Sequence, residues 1–337
     1  MKRLLSAALA LSVLAAVGIF VFAGCKCSGS TDRTPYQTNI FPQVKIPVTM
    51  ASNKPRAAEY VARHYWDEFL SQDRLLRLKP DTSTLLGVSP QIFDEAFTGY
   101  VAALSAVDDT IAKTSITRLT ERASKMAEDG YTPLLSRIMQ CAESTLFDAH
   151  SPYLNDELYL PVLEGIGSCR AIPNNVKDSF RWQVALCNKN RVGTTAADFR
   201  YATAWGRQYN MHSIEAEYLM IFFNDPDCPN CKAALEELKK SDPVINLVGM
   251  GVMKVLAVSP DGKTQLWDER KADYPSDWIY AYDPSGELNQ GTIYSLRTSP
   301  SIYLLDEDKR VVLKDASLTH ALRVLASLAE HYVLIHE

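Results

Sequence analysis

Basic residues are outnumbered by acids here, cysteines are few, and neither glycine nor proline is enriched. With 15 Gly and 17 Pro in 337 residues, the chain cannot be collagen-like or low-complexity. Its 47% hydrophobic and 22% charged residues are those of a globular protein, which excludes a wholly disordered or polytopic membrane protein. The length suits roughly two domains at about 150 residues each. Lys and Arg total 35 against 40 Asp and Glu. Lys2 and Arg3 lie in a segment expected to be removed, which leaves 33 against 40, a net charge near −7. Phosphate binding needs a basic surplus, so nucleic acid is not expected as a partner. Seven cysteines are too few to scaffold a chain of this size, so their spacing carries the information.

The first residues read as an address. Met1-Lys2-Arg3 is positive, Leu4 to Phe22 carries no charge, and Ala23-Gly24-Cys25 closes the run. Positive, apolar, small-residue order is the layout of a secretory signal. A retained helix is the alternative, since about 20 apolar residues just span a bilayer. The small residues before Cys25 favour cleavage. This end resembles the lipobox of bacterial lipoproteins, with Phe22 where Leu is commoner. The resemblance implies a signal peptide over 1–24, a diacylglycerol on the sulfur of Cys25, and a membrane anchor through that lipid. Export places the chain where disulfides can form. Residues 25–53 are rich in Ser, Thr and Pro without a helical period, and read as a tether. No acidic run follows Cys25, which points to a periplasm-facing anchor in the bacterial envelope, on the outer membrane in preference to the inner.

Residues 54–191 keep an apolar period near 3.6 and are expected to form an all-helical bundle. Ala58, Val61, Tyr65 and Phe69 make one stripe after Asn53 as cap. Ser89-Pro90 opens a second helix with Phe93, Phe97, Val101 and Leu104 inward. Thr110 begins a third that ends at Gly130, and Thr132-Pro133 opens a fourth with Ile138, Cys141 and Leu146. Further helices are expected after Asn155 and around Val176 to Cys187. Cys141, Cys169 and Cys187 read as small buried apolar residues; a Cys169–Cys187 disulfide stays open. His64 to Glu68 mixes ligand types, but neighbouring helix positions face different ways and are not expected to converge.

From residue 192 to 337 the pattern is mixed. Phe199–Ala204 and Gln208–Ile214 read as a hairpin, and Tyr218–Phe223 as a strand buried on both faces. Met253–Val258, Trp278–Tyr282, Ser301–Leu305 and Arg310–Lys314 read as further strands, before a closing amphipathic helix. Between the buried strand and the next helix stands Cys228-Pro229-Asn230-Cys231. At a helix start, unpaired N–H groups and the macrodipole favour a thiolate on Cys228. Cys231, one turn later on the same face, can resolve a mixed disulfide by internal attack. Pro229 just inside the helix sacrifices no hydrogen bond.

Three segments in order carry a second resemblance. Gly193-Thr194-Thr195-Ala196-Ala197-Asp198-Phe199, Phe222-Phe223 separated by four residues from Cys228, and Thr298-Ser299-Pro300-Ser301 before an apolar strand are together similar to the TlpA/ResA-like thiol:disulfide oxidoreductases of thioredoxin fold. The resemblance implies an α/β thioredoxin-like domain, a central mixed sheet flanked by helices, behind the helical one. It also implies that Cys228 attacks, Cys231 resolves, Pro300 is a cis residue facing them, and the Ser299 backbone pairs with a client chain beside Pro229 and Asn230. Exported protein thiols and disulfides would be the substrates, with a redox partner in the envelope. No metal or cofactor is expected, since two cysteines are too few ligands.

The departures from that family are chemical. No acid stands in Tyr218–Phe223, Ala234 occupies a position where Glu is common, and Asp225 and Asp227 precede Cys228. Two carboxylates there are expected to oppose the helix dipole and raise the Cys228 thiol, with Asp227 or Glu236 as proton acceptor. A peroxiredoxin pattern is absent, because Ile221 and Asp225 stand where Pro and Thr should. The rival reading is a lipid-anchored binding protein whose Cys228–Cys231 disulfide is inert. Trp267, Tyr274, Trp278 and Tyr280 either line a partner groove or pack the sheet.

Overall fold

The computed structural model describes residues 39–78 and 83–336. The signal segment, Cys25 and the first part of the tether lie outside the described residues. The chain divides into two units, one ending at Ser179 and the other beginning at Phe180. Among the described residues, no helix is long and apolar enough to cross a membrane.

The first unit is helical: α1 (Val48–Ala51), α2 (Lys54–His64), α3 (Gln72–Arg77), α4 (Pro90–Leu104), α5 (Asp109–Glu128), α6 (Pro133–Ala142), α7 (Asp156–Ser168) and α8 (Asn174–Ser179). Short polar side chains start several of these helices. Asn53, Ser71, Ser89, Asp108 and Asn155 accept from first-turn N–H groups, each worth about 1 kcal/mol. Phe93, Phe97, Val101 and Leu104 of α4 are buried as their spacing predicts, as are Ile138, Cys141 and Leu146. Helix α6 runs on into a π-helical turn, Glu143–Phe147.

The first stripe differs from expectation. Ala57, Ala62, Trp66 and Phe69 are buried, while Ala58, Val61 and Tyr65 are only partly covered. Helix α2 ends at His64, so the helical period does not extend to Tyr65 and Phe69. Trp66 instead enters an aromatic cluster with Phe93 (5.3 Å) and Tyr100 (5.4 Å). Phe41, from the segment read as tether, stacks on Phe69 at 4.9 Å. His64 and Asp67 do meet, with Nδ1 to Oδ2 at 2.7 Å, because they lie three residues apart. Asp67 also accepts from Arg118 (2.8 Å) and Arg122 (3.0 Å), so the cluster is a closed ion-pair network.

The second unit is built on a seven-stranded sheet in the order β2-β1-β5-β4-β3-β6-β7. Its strands are β1 (Arg200–Thr203), β2 (Gln208–Asn210), β3 (Tyr218–Phe223), β4 (Met253–Ser259), β5 (Ile279–Tyr282), β6 (Ser301–Asp306) and β7 (Val311–Ala316). β3, β4 and β5 are parallel, and the other pairings are antiparallel. Around them lie α9 (Arg181–Cys187), α10 (Pro229–Lys240), α11 (Asp242–Gly249), α12 (Gln265–Arg270) and α13 (Leu318–His336). Helix α9 is tied to β7, since the Lys314 ammonium donates to the Leu186 and Cys187 carbonyls at 3.1 and 2.9 Å.

The two-residue period of β3 divides the core. Met220 and Phe222 pack with Ala234, Leu235 and Leu238 of α10 and with Val324 and Leu325 of α13. Leu219, Ile221 and Phe223 face the other layer, with Phe199, Tyr294 and Tyr303. A strand buried on both faces therefore reads as a continuous apolar run. Outside β7 runs the entry segment, where Gly193 N–H donates to Val311 O (2.7 Å) and Ala196 N–H to Lys309 O (2.8 Å). That pairing covers what would otherwise be an open edge. The β6–β7 register shifts twice: Ile302 faces Ala316, Leu304 faces Leu313 and Leu305 faces Val311, so β7 carries an extra residue at each shift, the first of them a bulge between Leu313 and Ala316. Asp315, within this bulge, has φ +46°.

Phe222 is fully buried. Truncating a buried Phe to Ala usually costs about 3–5 kcal/mol. Phe222→Ala should therefore lower the stability of the second unit by about that amount in urea denaturation, and a loss under about 1 kcal/mol would show that this core is not packed as described.

Candidate active site

The end of β3 leads straight into the motif. Asn224 is 1% exposed; its N–H donates to Val258 O (3.1 Å) and its Nδ2 to Phe222 O (3.0 Å). The Tyr274 hydroxyl donates to Asn224 Oδ1 at 2.6 Å. Asp225 then folds the chain back, with its Oδ1 accepting from Asp227 N–H (2.8 Å) and its carbonyl from Cys228 N–H (3.1 Å). Cys228 takes the extended N-cap conformation and Pro229 the first helical position of α10. Pro fits there because its missing N–H would have had no partner.

The two sulfurs differ in surroundings. Cys228 is half-buried, and Pro229 and Asn230 are exposed. Cys231 is 3% exposed and accepts from Asp225 N–H at 3.4 Å. Both sulfurs meet Ser299, seventy residues on. The Cys228 thiol donates to Ser299 O at 3.6 Å, and Cys231 Sγ lies 3.1 Å from Ser299 Oγ. The Ser299–Pro300 peptide bond is cis. The structure thus brings Cys228, Cys231, Ser299 and Pro300 together, with Pro229 and Asn230 on the open side.

Burial acts to raise the Cys228 thiol, but hydrogen bonds from the Cys231 and Asn230 N–H groups and the Cys231 and Ser299 side chains outweigh it. The thiol lies below its ordinary value. This corrects the expectation that Asp225 and Asp227 would raise it. The Asp225 carboxylate is spent on its own turn, while the N–H groups of the helix start point at the sulfur. Cys231 moves the other way. Burial, reinforced by Cys228, pushes it up to about 11 against the Ser299 hydroxyl and the Asp225 N–H.

Of the expected proton acceptors, Glu236 is fully exposed and held by Lys239 at 2.7 Å, which lowers its carboxyl below the usual range. Its place on the outer face of α10 removes it from the site. Asp227 is exposed at the turn. Sequence reasoning missed Asp261, and named Tyr274 only as a groove or sheet aromatic. Tyr274 has its hydroxyl raised by burial and then by the charge of Cys231. Asp261, after β4, is raised by burial and by Asp225. Neither has a local signal, because the parallel β3–β4–β5 arrangement alone brings their loops to the motif.

Other sequence candidates find structural roles. Trp267 stacks on Tyr280 at 4.4 Å, and its Nε1 donates to Ala281 O (3.0 Å). Trp267, Trp278 and Tyr280 are all buried in the sheet's core, which decides against a groove. Cys141 donates to Asp94 Oδ1 (3.1 Å) and is pushed up to about 12 by burial and that carboxylate. Cys169 is a free thiol whose Sγ donates to Ser124 O (3.7 Å), and Cys187 is fully buried. His212 Nε2 bonds the Ala196 carbonyl (2.9 Å). Among the described residues, no three His, Cys, Asp or Glu side chains are grouped to hold a metal.

Residues 25–190 match the model of a domain of unknown function, DUF5106. The chain is similar to a thioredoxin-like protein from Bacteroides caccae, with 29% identity over 85% of this chain and 98% of that one, at a TM-score of 0.72. A conserved protein of unknown function from Bacteroides fragilis is 36% identical over 40% of this chain and 98% of its own, with a TM-score of 0.39. The thioredoxin domain of a thiol-disulfide oxidoreductase from Bacteroides vulgatus is 16% identical over 41% of this chain and 97% of its own, with a TM-score of 0.36. No curated protein matches the chain. The second unit has a thioredoxin-like fold.

The asymmetry of the two thiols sets a pH order. Thiolate is the reactive form, so iodoacetamide at pH 7 should label Cys228 first, at a rate rising with pH through a midpoint below that of an ordinary thiol. Cys231 should resist labelling until well above pH 9, given its value of about 11. Peptide mass analysis that found Cys231 modified first would overturn this order.

Proposed function

We propose that the second unit performs thiol–disulfide exchange with exported protein clients, held at a bacterial membrane by a lipid on Cys25. The observation that carries this is the pairing of a lowered, accessible Cys228 with a raised, buried Cys231 against one cis-proline loop. The thioredoxin-like relative supports the same reading. An inert structural disulfide has no need of a thiol lowered at a helix start.

The Cys228 thiolate attacks one sulfur of a client disulfide. The client S–S bond breaks, a Cys228–client mixed disulfide forms, and the second client sulfur leaves as a thiolate that takes up a proton. Cys231 then loses its proton and attacks Cys228 Sγ. The mixed disulfide breaks, the first client sulfur leaves and is protonated, and Cys228–Cys231 is left oxidised. The client gains two electrons and two protons, and a dithiol partner in the envelope restores the motif. Run backwards, the same steps oxidise a client dithiol. Ser299 and Pro300 offer the surface beside Cys228 on which a client chain lies, with Pro229 and Asn230 as the opposite rim.

A graded thiol/disulfide buffer series tests this, with the state of the pair read by mass after alkylation. A reversible two-electron transition is expected. A midpoint near about −270 mV would mark a reductant, and a clearly higher one an oxidant or isomerase. Cys231→Ser should accumulate mixed disulfides with clients and Cys228→Ser should not. A pair that stays oxidised in every buffer would sink the exchange reading in favour of an inert binding lipoprotein. Independently, labelled fatty acid should enter the wild-type chain and not Cys25→Ala; equal labelling would remove the anchor.

A further inference from the structure

The loop that touches both sulfurs is held from below by one carboxylate. Asp315 sits in the β7 bulge at φ +46°, a left-handed conformation that Asp visits more readily than most residues and Gly most readily of all. Bulges re-aim side chains, and they cluster beside active sites. Here the bulge turns Asp315 inward, its side chain wholly buried. Oδ1 accepts from the Ser301 hydroxyl (2.6 Å), and Oδ2 from Arg297 Nε (2.6 Å) and the Ser295 hydroxyl (3.4 Å). The Arg297 N–H reaches both oxygens at 3.3 and 3.4 Å. One carboxylate therefore grips the chain on both sides of Ser299–Pro300, two residues before and two after Ser299. A bulged turn alone needs none of these contacts, and glycine would make it with less strain.

We infer that Asp315 is a positioning residue of the exchange site, whose buried carboxylate holds the 295–301 loop so that Ser299 stands against Cys228 and Cys231. The inference rests on the thiol-exchange reading for its purpose, but the coupling itself can be measured without a client. Asp315 touches neither sulfur; it acts through Ser299.

The test is a double-mutant cycle on the full chain, with Asp315→Gly, Ser299→Ala and their combination. It reads the Cys228 alkylation rate at pH 7 and the dithiol–disulfide equilibrium constant against glutathione. Glycine keeps the bulge's backbone while deleting the carboxylate. Asp315→Gly should change both quantities about 3- to 10-fold, the worth of one hydrogen bond. The double variant should fall short of the product of the two single effects, because Ser299→Ala deletes the hydroxyl beside Cys231 but keeps the carbonyl that faces Cys228, and residues coupled through one loop are not additive. Ser301→Ala, which removes one grip and leaves the carboxylate paired with Arg297, should shift both about 2-fold in the same direction; it decides the matter should Asp315→Gly fail to fold. Wild-type values in Asp315→Gly, multiplying effects in the double variant, or an unchanged Ser301→Ala would overturn the inference. A wild type that never exchanges with glutathione would sink the exchange reading instead, while the alkylation cycle would still judge Asp315.

Discussion

The antiparallel pairing of β3 with β6, with Phe223 opposite Ser301, is the constraint on which the site depends. β3 ends at Phe223 and the motif begins five residues later. β6 begins at Ser301, directly after the cis-proline. Pairing the end of one strand with the start of the other brings Ser299 within reach of both sulfurs. A register slip of one residue would turn every β3 side chain to the opposite layer, and the burial of five of its six residues resists that. The apolar run that builds the core therefore also aligns the chemistry.

Local electrostatics then separate two chemically identical groups. Cys228 lies where helix N–H groups have no other acceptor, so its charged form gains partners. Cys231 lies one turn inside, where burial disfavours charge. The acids lacking from β3 and from position 234 leave the inner side of the site to neutral or weakly acidic donors: the Ser299 hydroxyl, the Asp225 N–H and, farther off, Tyr274. Asp315 contributes a negative charge at one remove, neutralised by Arg297 and expressed through the shape of the loop.

The helical unit follows different physics. Its polar clusters close upon themselves: Asp94 takes both Arg137 and the Cys141 thiol, and Asp67 takes His64, Arg118 and Arg122. Its aromatic cluster around Trp66 supplies dense packing, with ring pairs 5–6 Å apart adding to area burial. These are the features of a stable core, and Cys141 and Cys169 are buried within it.

Much of this was legible in the residues. The helical unit ahead of a mixed one, the buried strand, the helix caps at Asn53, Ser89 and Asn155, and the motif at a helix start follow from periods and turn chemistry acting over a few residues; the thioredoxin-like fold class came from the resemblance of three segments. What failed in the sequence was whatever depended on direction. The Asp225 carboxylate was read as a charge facing the sulfur, yet it bonds its own turn. Glu236 was read as near the motif, yet helix rotation puts it with Lys239 and Lys240. Asp261 and Asp315 had no local mark, being 30 and 84 residues from Cys231, and Tyr274, 43 residues away, was marked only as an aromatic. The sequence by itself determined the elements and the cysteine pair at a helix start, because short-range sterics, burial periodicity and helix-end polarity decide those, while the proline loop was legible only through a resemblance to known oxidoreductases. Only the tertiary structure decided which groups face the sulfurs and which carboxylate holds the loop, because strand register and the bulge at Asp315 set those directions across long stretches of chain.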